Sequence, residues 1–427
     1  MYDHDPACSM INLQQSFAVR FSYTTFFTEE LFDPGNPIFA NFFSSSTDDK
    51  STKKILFVLD SGVVNAQPAL PEAIRQYFAQ TAASVTLVPE LLTVPGGEAA
   101  KNDPELVEQV VAAVDQYGID RHSFIAAIGG GSVLDMVGYA AAISHRGIRH
   151  IRIPTTVLSQ NDSGVGVKNG VNYRGKKNFL GTFAPPVAVF NDSTFLTTLD
   201  DRDWRAGIAE AVKVALIKDR PFFEWIEANA DALAARDMPT MQYLIHRCAE
   251  MHLQHIAGRS EGPVPHRRTG RSDTPADAGD PFEQGSSRPL DFGHWSAHKL
   301  EQLTNFAIRH GEAVAIGIAM DTLYSNQLGW LSDEDTNRVL TTLRTLGFLL
   351  YEPMLSDNDS AGVLKGLSEF REHLGGQLTI MLLNALGHGV EVHEMDEDVI
   401  RRVIGLLRDE DLSRSDTLVR PAATATV

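Results

Sequence analysis

From Lys54 to Phe190 short apolar runs alternate with helix-spaced segments, and this alternation restricts the chain more than any other feature. Lys54–Asp60 (KILFVLD) reads as a strand buried on both faces, because its apolar run is unbroken and ends at a polar turn. Pro71–Ala82 has helical spacing and Ser84–Val88 reads as a strand. Asp103-Pro104 opens a helix through Tyr117, with Leu106, Val110, Val111 and Val114 on one face. Ser123–Ile128 is a third strand; it runs into Gly129-Gly130-Gly131-Ser132 and a helix over Val133–Ser144. Further strands are expected at His150–Pro154 and Val187–Phe190, and Phe17–Tyr23 is strand-like. Such alternation predicts an α/β fold with a parallel sheet and ligands at the strand C-termini.

After Arg205 helical patterns take over: Ala206–Lys218, Pro221–Ala235, Thr240–Ala257, His294–Leu303, Gly311–Gln327 and Ser332–Leu346. The expected organisation is an α/β domain over residues 1–205 and a mostly α-helical domain over 206–412. Gly258–Asp280, rich in Gly, Pro, Ser, Asp and Arg, reads as a mobile insertion, and Ser413–Val427 as a disordered tail. The chain has 427 residues, and 55 acidic against 37 basic side chains give a net charge of −18. This balance argues against nucleic acid and anionic membranes as partners. Two cysteines, Cys8 and Cys248, cannot build a disulfide framework or a Cys-rich zinc site. With no basic-apolar leader and no apolar run of bilayer length, a cytoplasmic protein is expected.

Three regions carry chemistry. Gly129–Ser132, between a strand and a helix, suits either an anion at a helix N-terminus or a tight structural turn. Gly96-Gly97-Glu98 with Lys101 is equally open, since Glu98 and Lys101 can pair on an exposed helix face. Pro154–Pro186 holds Asp162, Lys168, Lys176, Lys177 and Asn178 among five glycines, Gly164, Gly166, Gly170, Gly175 and Gly181. It reads as a segment wrapped round a polyanion, or as a solvated loop. Glu210 and Lys213 share a helix face, as do His294 and His298, and His310 begins a further helix. A Glu, two His and an open position make a catalytic zinc site, although a lone HxxxH pair is more often a core or surface pair.

Taken together these segments resemble the sugar phosphate cyclases, of which 3-dehydroquinate synthase is the best-known type. GGEAAK, GGGSVLD, PTTVLSQNDSGVGVK, GKKN, AGIAEAVK, GHWSAH and HGEAVAIG occur in family order between Lys54 and Gly387. The resemblance implies a dehydroquinate synthase-like fold, a Rossmann-like NAD domain followed by a helical metal-binding domain. It implies Glu210, His294 and His310 as ligands of a divalent metal, zinc or cobalt. Asp60, Glu98, Lys101, Gly130, Gly131, Ser132, Asp135, Thr155, Thr156, Lys177 and Thr198 match NAD-contact positions. Asp162 and Lys213 match residues holding substrate hydroxyls; Lys168, Asn178 and His298 match phosphate contacts. Arg146 matches an arginine that reaches the phosphate from a neighbouring subunit, which implies a homodimer. The implied reaction turns a sugar phosphate into a carbocycle by transient oxidation, β-elimination of phosphate, re-reduction and intramolecular aldol closure.

Dehydroquinate synthases hold a substrate carboxylate with a lysine and an arginine. Here the lysine position is His252, and the arginine position is Ser287 with Arg288 adjacent. Asp291 replaces an asparagine, and a late family lysine falls near Arg371-Glu372. These exchanges remove positive charge and add negative charge where the carboxylate would sit. An unpaired buried carboxylate costs several kcal/mol as an order of magnitude, so a substrate without one, such as sedoheptulose 7-phosphate, is expected. Three readings compete: dehydroquinate synthase served by Arg288, a metal-dependent NAD polyol dehydrogenase, and a non-catalytic sugar-phosphate binder.

Overall fold

The computed structural model describes residues 13–45, 53–81, 84–258, 279–282, 291–373 and 378–419. Its first part runs β1 (Thr24–Thr28), α1 (Ile38–Ser45), β2 (Lys53–Asp60), α2 (Ser61–Ala66), α3 (Leu70–Thr81), β3 (Val85–Val94), α4 (Ala99–Asn102) and α5 (Pro104–Gln116). It continues through β4 (Phe124–Gly129), α6 (Gly131–Ile143), β5 (Arg149–Pro154), the hairpin β6 (Lys168–Tyr173) and β7 (Lys176–Phe183), and β8 (Ala188–Asp192). Six strands form one sheet in the order β1-β8-β5-β4-β2-β3, and each pairing is parallel. Along β2, Ile55, Phe57 and Leu59 enter one apolar core while Leu56 and Val58 enter another. The side-chain period of two thus buries both faces, which is why the strand has no polar alternation. From β2 the chain goes outward to β3 and then back to β4 on the other side, so a crevice opens at the C-terminal ends of β2 and β4.

The second part is helical: α7 (Asp201–Lys218), α8 (Arg220–Ala228), α9 (Ala230–Ala234), α10 (Met238–Ala257), α11 (His294–Leu303), α12 (His310–Gln327), α13 (Asp333–Thr345), α14 (Ala361–His373) and α15 (Glu397–Val419). A two-stranded ribbon of β9 (Ile380–Ala385) and β10 (His388–Val392) precedes α15. Among the described residues no helix is long and apolar enough to cross a membrane.

Several expectations change. The first strand is Thr24–Thr28, not Phe17–Tyr23, because Thr24 is where pairing with Ala188 of β8 begins. Pro221–Ala235 is two helices, broken where Asn229 leaves helical geometry. Pro154–Pro186 is no open loop: it holds a π-turn at Ser159–Ser163 and the antiparallel β6–β7 hairpin. Ser413–Val419 continues α15, and 420–427 lie outside the described residues. The expected insertion lies mostly outside them too; at its far end Asp280 N donates to His255 O at 3.1 Å.

Two close approaches lock the helical part. A Cβ on Gly311 would stand 2.1 Å from Ala206 O, and one on Gly317 would stand 1.9 Å from Gly293 O. Glycine therefore lets α12 touch the backbone of α7 and the turn before α11. Asp321 of α12 reinforces the second contact, accepting from Gly293 N and Trp295 Nε1, both at 2.9 Å. Burial pushes its carboxyl up to about 7, and these two hydrogen bonds only partly offset that.

Gly311→Ala should cost about 1–3 kcal/mol in urea unfolding, since neither backbone can retreat freely. Folded Asp321 holds its proton more tightly than the unfolded chain does, so it lowers stability as pH rises from 3.8 to about 7. Urea unfolding across that window should show a loss in the wild type that is absent in Asp321→Asn.

Candidate active site

The crevice and the strand ends beside it carry most of the residues expected to hold a nucleotide, with Thr198 after β8, two strands from β4. Asp60, at the end of β2, caps α2 by accepting from Gly62 N at 2.8 Å, and burial raises its carboxyl. Gly130 precedes α6, Gly131 and Ser132 form its first turn, and Asp135 lies one turn further. Lys101 is buried and pairs with Asp135 at 2.7 Å, not with Glu98 on an exposed face. Glu98 instead accepts from Asn172 Nδ2 of the hairpin at 2.5 Å. Thr155 N donates to Gly129 O, while Thr156 Oγ1 lies 2.9 Å from Ser159 Oγ. Thr198, on the short helix after β8, donates its hydroxyl to Phe195 O at 3.2 Å.

On the helical side, α7, α11 and the start of α12 bring Glu210, His294 and His310 together. One ligand atom from each lies within 4.8 Å of the others. His310 Nε2 is 3.1 Å and His294 Nε2 3.6 Å from Glu210 Oε1. Both Glu210 oxygens are buried, and among the described residues neither has a hydrogen bond of good geometry. A carboxylate and two imidazoles, converging with open valences, are a donor set that suits zinc or cobalt. Burial raises the Glu210 carboxyl, but Lys213, His294 and His310 outweigh it and hold it well below the usual carboxylate range. Burial lowers the His310 imidazole, yet its bonds to Glu210 and Glu301 raise it to about 10.

Lys213 bridges outward from this centre. It contacts Glu210 Oε2 and stands 3.8 Å from Asp162 Oδ2, and these two acids override burial to keep it cationic. Asp162 also faces His252 Nε2 at 3.3 Å; burial lowers that imidazole, and its buried Nδ1 has no hydrogen-bond partner among the described residues. Asp291, half-buried before α11, adds to the negative field on Lys213. His298 is one turn along from His294, with ring centroids 5.4 Å apart, and stacks on His310 at 5.9 Å. Burial, then the neighbouring imidazoles, hold His298 well below the usual histidine range, so it is neutral.

Glu301 joins the two sides, although the sequence reading passed over it. It lies 3.3 Å from His310 Nδ1 and accepts from Lys177 Nζ of β7 at 3.1 Å. Burial raises its carboxyl, but His310 and Lys177 bring it to about 2. The signal was present: His294, His298 and Glu301 fall on one face of α11 at i, i+4 and i+7. Other expected residues are open to solvent or lie outside the described residues. Lys168 and Asn178 are exposed, Arg146 is exposed on a turn with φ 62°, and Arg288 lies outside the described residues.

Comparison with known proteins accounts for this arrangement. Residues 91–206 match the family described as 3-dehydroquinate synthase N-terminal, and 207–360 match 3-dehydroquinate synthase C-terminal. A 3-dehydroquinate synthase of Halorhodospira halophila (strain DSM 244 / SL1) is 35% identical over 353 residues, covering 80% of this chain and 92% of that protein. The structure of ValA, a 2-epi-5-epi-valiolone synthase from Streptomyces hygroscopicus subsp. jinggangensis 5008 with NAD+ and Zn2+ bound, superposes with a TM-score of 0.79 at 28% identity. That match covers 93% of this chain and 100% of ValA. A 2-deoxy-scyllo-inosose synthase complexed with carbaglucose-6-phosphate, NAD+ and Co2+ shares the fold, with a TM-score of 0.70 at 23% identity over 89% of this chain and 95% of its own. The chain belongs to the 3-dehydroquinate synthase-like family of sugar phosphate cyclases.

Proposed function

We propose that this protein is an NAD- and metal-dependent sugar phosphate cyclase, a carbon–oxygen lyase that converts a seven-carbon ketose phosphate without a carboxylate, such as sedoheptulose 7-phosphate, into a carbocycle. The convergence of Glu210, His294 and His310 beside the Asp162–Lys213 pair carries this reading. The NAD+ and Zn2+ bound by ValA support it. Residues 1–205 form the NAD unit and 206–412 the metal unit; the enzyme is a cytoplasmic homodimer in which Arg146 reaches the partner's site.

A zinc or cobalt ion at this centre would supply Lewis acidity toward a ring hydroxyl, and a bound NAD would supply reversible hydride transfer. Glu210, His294 and His310 hold the ion, with His310 oriented through Nδ1 by Glu301. Asp60, Glu98, Lys101, Gly130, Gly131, Ser132, Asp135, Thr155, Thr156, Lys177 and Thr198 hold NAD. Lys213, kept cationic, and Asp162 fix the substrate hydroxyls next to the ion. Lys168, Asn178, neutral His298 and Arg146 of the partner subunit hold the phosphate as it leaves by β-elimination, and the phosphate takes the neighbouring proton. Fixed cationic donors around the departing group need not reorganise as its charge grows.

Substrate choice rests on His252 and Asp291. A carboxylate placed there would meet a neutral imidazole and a negative charge instead of a lysine. The 35% identity to a 3-dehydroquinate synthase favours a second reading, in which Arg288 serves the carboxylate of 3-deoxy-arabino-heptulosonate 7-phosphate.

Phosphate release from each sugar phosphate, with NAD and zinc or cobalt, separates the two. Turnover of sedoheptulose 7-phosphate is expected; turnover confined to the carboxylated sugar, abolished by Arg288→Ala, would establish the second reading instead. Glu301→Gln should cost about 10–100-fold in metal affinity or kcat, measured as metal retained after chelator dialysis and as initial rate.

A further inference from the structure

We propose that Arg152 is a positioning residue: a buried guanidinium round which residues 163–169 are wound, setting Asp162 and Lys168 for the sugar phosphate. The proposal rests on the reading of those two side chains given above. Arg152, on β5, is fully buried. Its Nη1 donates to Gly164 O at 3.1 Å and Gly166 O at 2.7 Å, with Ser163 O at 3.5 Å. Its Nη2 donates to Lys168 O at 2.8 Å and to Asn169 Oδ1 at 2.7 Å. These partners are all neutral oxygens, so the cation is stabilised by the backbone of this segment and not by direct contact with an acid. Burial opposes its charge, and Asp135 at a distance offsets part of that.

The carbonyls of the segment are accounted for one by one. Gly164, Gly166 and Lys168 face Arg152, whereas Val165 O accepts from Tyr23 Oη at 2.7 Å and Val167 O from Ala184 N at 3.0 Å. The guanidinium thus takes up the carbonyls that turn inward as the chain leaves the helical turn at Gly164 and becomes strand at Lys168. A planar fork can reach three such carbonyls at once; the single ammonium of a lysine cannot hold them in the same geometry. Loss of the fork would leave these carbonyls to find partners elsewhere. Asp162 adjoins this segment at one end and Lys168 lies near the other, so a shift of the winding moves both groups relative to Lys213, which is anchored separately on α7. Asn169, held by the same guanidinium, is the second residue of β6 in the hairpin that carries Lys177 and Asn178.

Arg152→Lys and Arg152→Gln, loaded with NAD and zinc, test this against wild type. Amide hydrogen exchange over residues 160–172 should accelerate in both, while peptides from α7 and α11 keep wild-type protection. Inorganic phosphate should bind more weakly, and kcat should fall by about 100-fold, the scale for misplacing a reacting group by roughly 1 Å. Metal content and NAD affinity should hold, and added guanidinium should recover part of the rate of Arg152→Ala. Unchanged exchange over 160–172, wild-type phosphate binding and rate in Arg152→Lys, or parallel loss of metal, NAD and phosphate binding would each overturn the proposal. Should Arg152→Gln fail to fold, Arg152→Lys carries the same measurements. If the wild type releases phosphate from no sugar phosphate, the cyclase reading fails; exchange and phosphate binding still decide the role of Arg152.

Discussion

A single buried carboxylate organises this molecule. Glu210 sits inside the helical part with almost no solvent contact, and its negative charge is tolerable only because Lys213, His294 and His310 surround it. Each comes from a different place in the chain: Lys213 from the next turn of α7, His294 from α11, His310 from the first turn of α12. Helix packing therefore has to be correct to a fraction of an ångström before the charge is balanced. The backbone contacts at Gly311 and Gly317 supply that accuracy, and Asp321 ties the start of α11 to the middle of α12. What looks like a metal centre is thus also a packing constraint on three helices.

Outward from Glu210 the polar contacts form a chain that crosses from helices to sheet. His310 leads to Glu301, and Glu301 to Lys177 on the hairpin. Lys213 leads to Asp162 on the π-turn after β5, and Asp162 to His252 on α10. The sheet part sends two excursions toward the helices, and each ends in a charged group that meets its partner there. Groups of opposite charge at short range, shielded from water, hold one another far more firmly than they would at the surface. A chain with net charge −18 thereby concentrates Lys168, Lys177 and Lys213 in one segment and its neighbour. Such a local field draws an anionic ligand where the whole molecule would repel one.

The unusual feature of the site is the neighbourhood of Asp162. His252 is largely buried, its imidazole is held toward the neutral form, its Nδ1 has no hydrogen-bond partner among the described residues, and Asp291 adds negative potential nearby. A buried polar atom without a protein partner is a place where a ligand group can bond. The sequence relatives and the structural relatives carry different names, among them 3-dehydroquinate synthase and 2-epi-5-epi-valiolone synthase.

Much was legible in the residues alone. The apolar run of β2, the glycines before α6 and the polar turn after β5 dictate parallel strands with ligand-facing ends, because a strand buried on both faces has few other solutions. The matching motifs named Glu210, His294 and His310 before any coordinates did. Local pattern was silent wherever a partner is distant in sequence. Lys101 lies one helical turn from Glu98, within local pairing reach, but meets Asp135 across the crevice. The lysine-rich stretch after β5 was a loop by composition but is a hairpin, since glycines at 170 and 181 let its two strands pair closely. Glu301 is marked only by its place on the His294–His298 face of α11, and Arg152 by nothing local, since it resembles a strand-end arginine. Sequence determined which groups and which elements exist, because backbone preference and apolar period act over a few residues. Only the tertiary structure decided which charges share a cavity and which carbonyls need a donor, because burial and Coulomb energy depend on distances that no local pattern encodes.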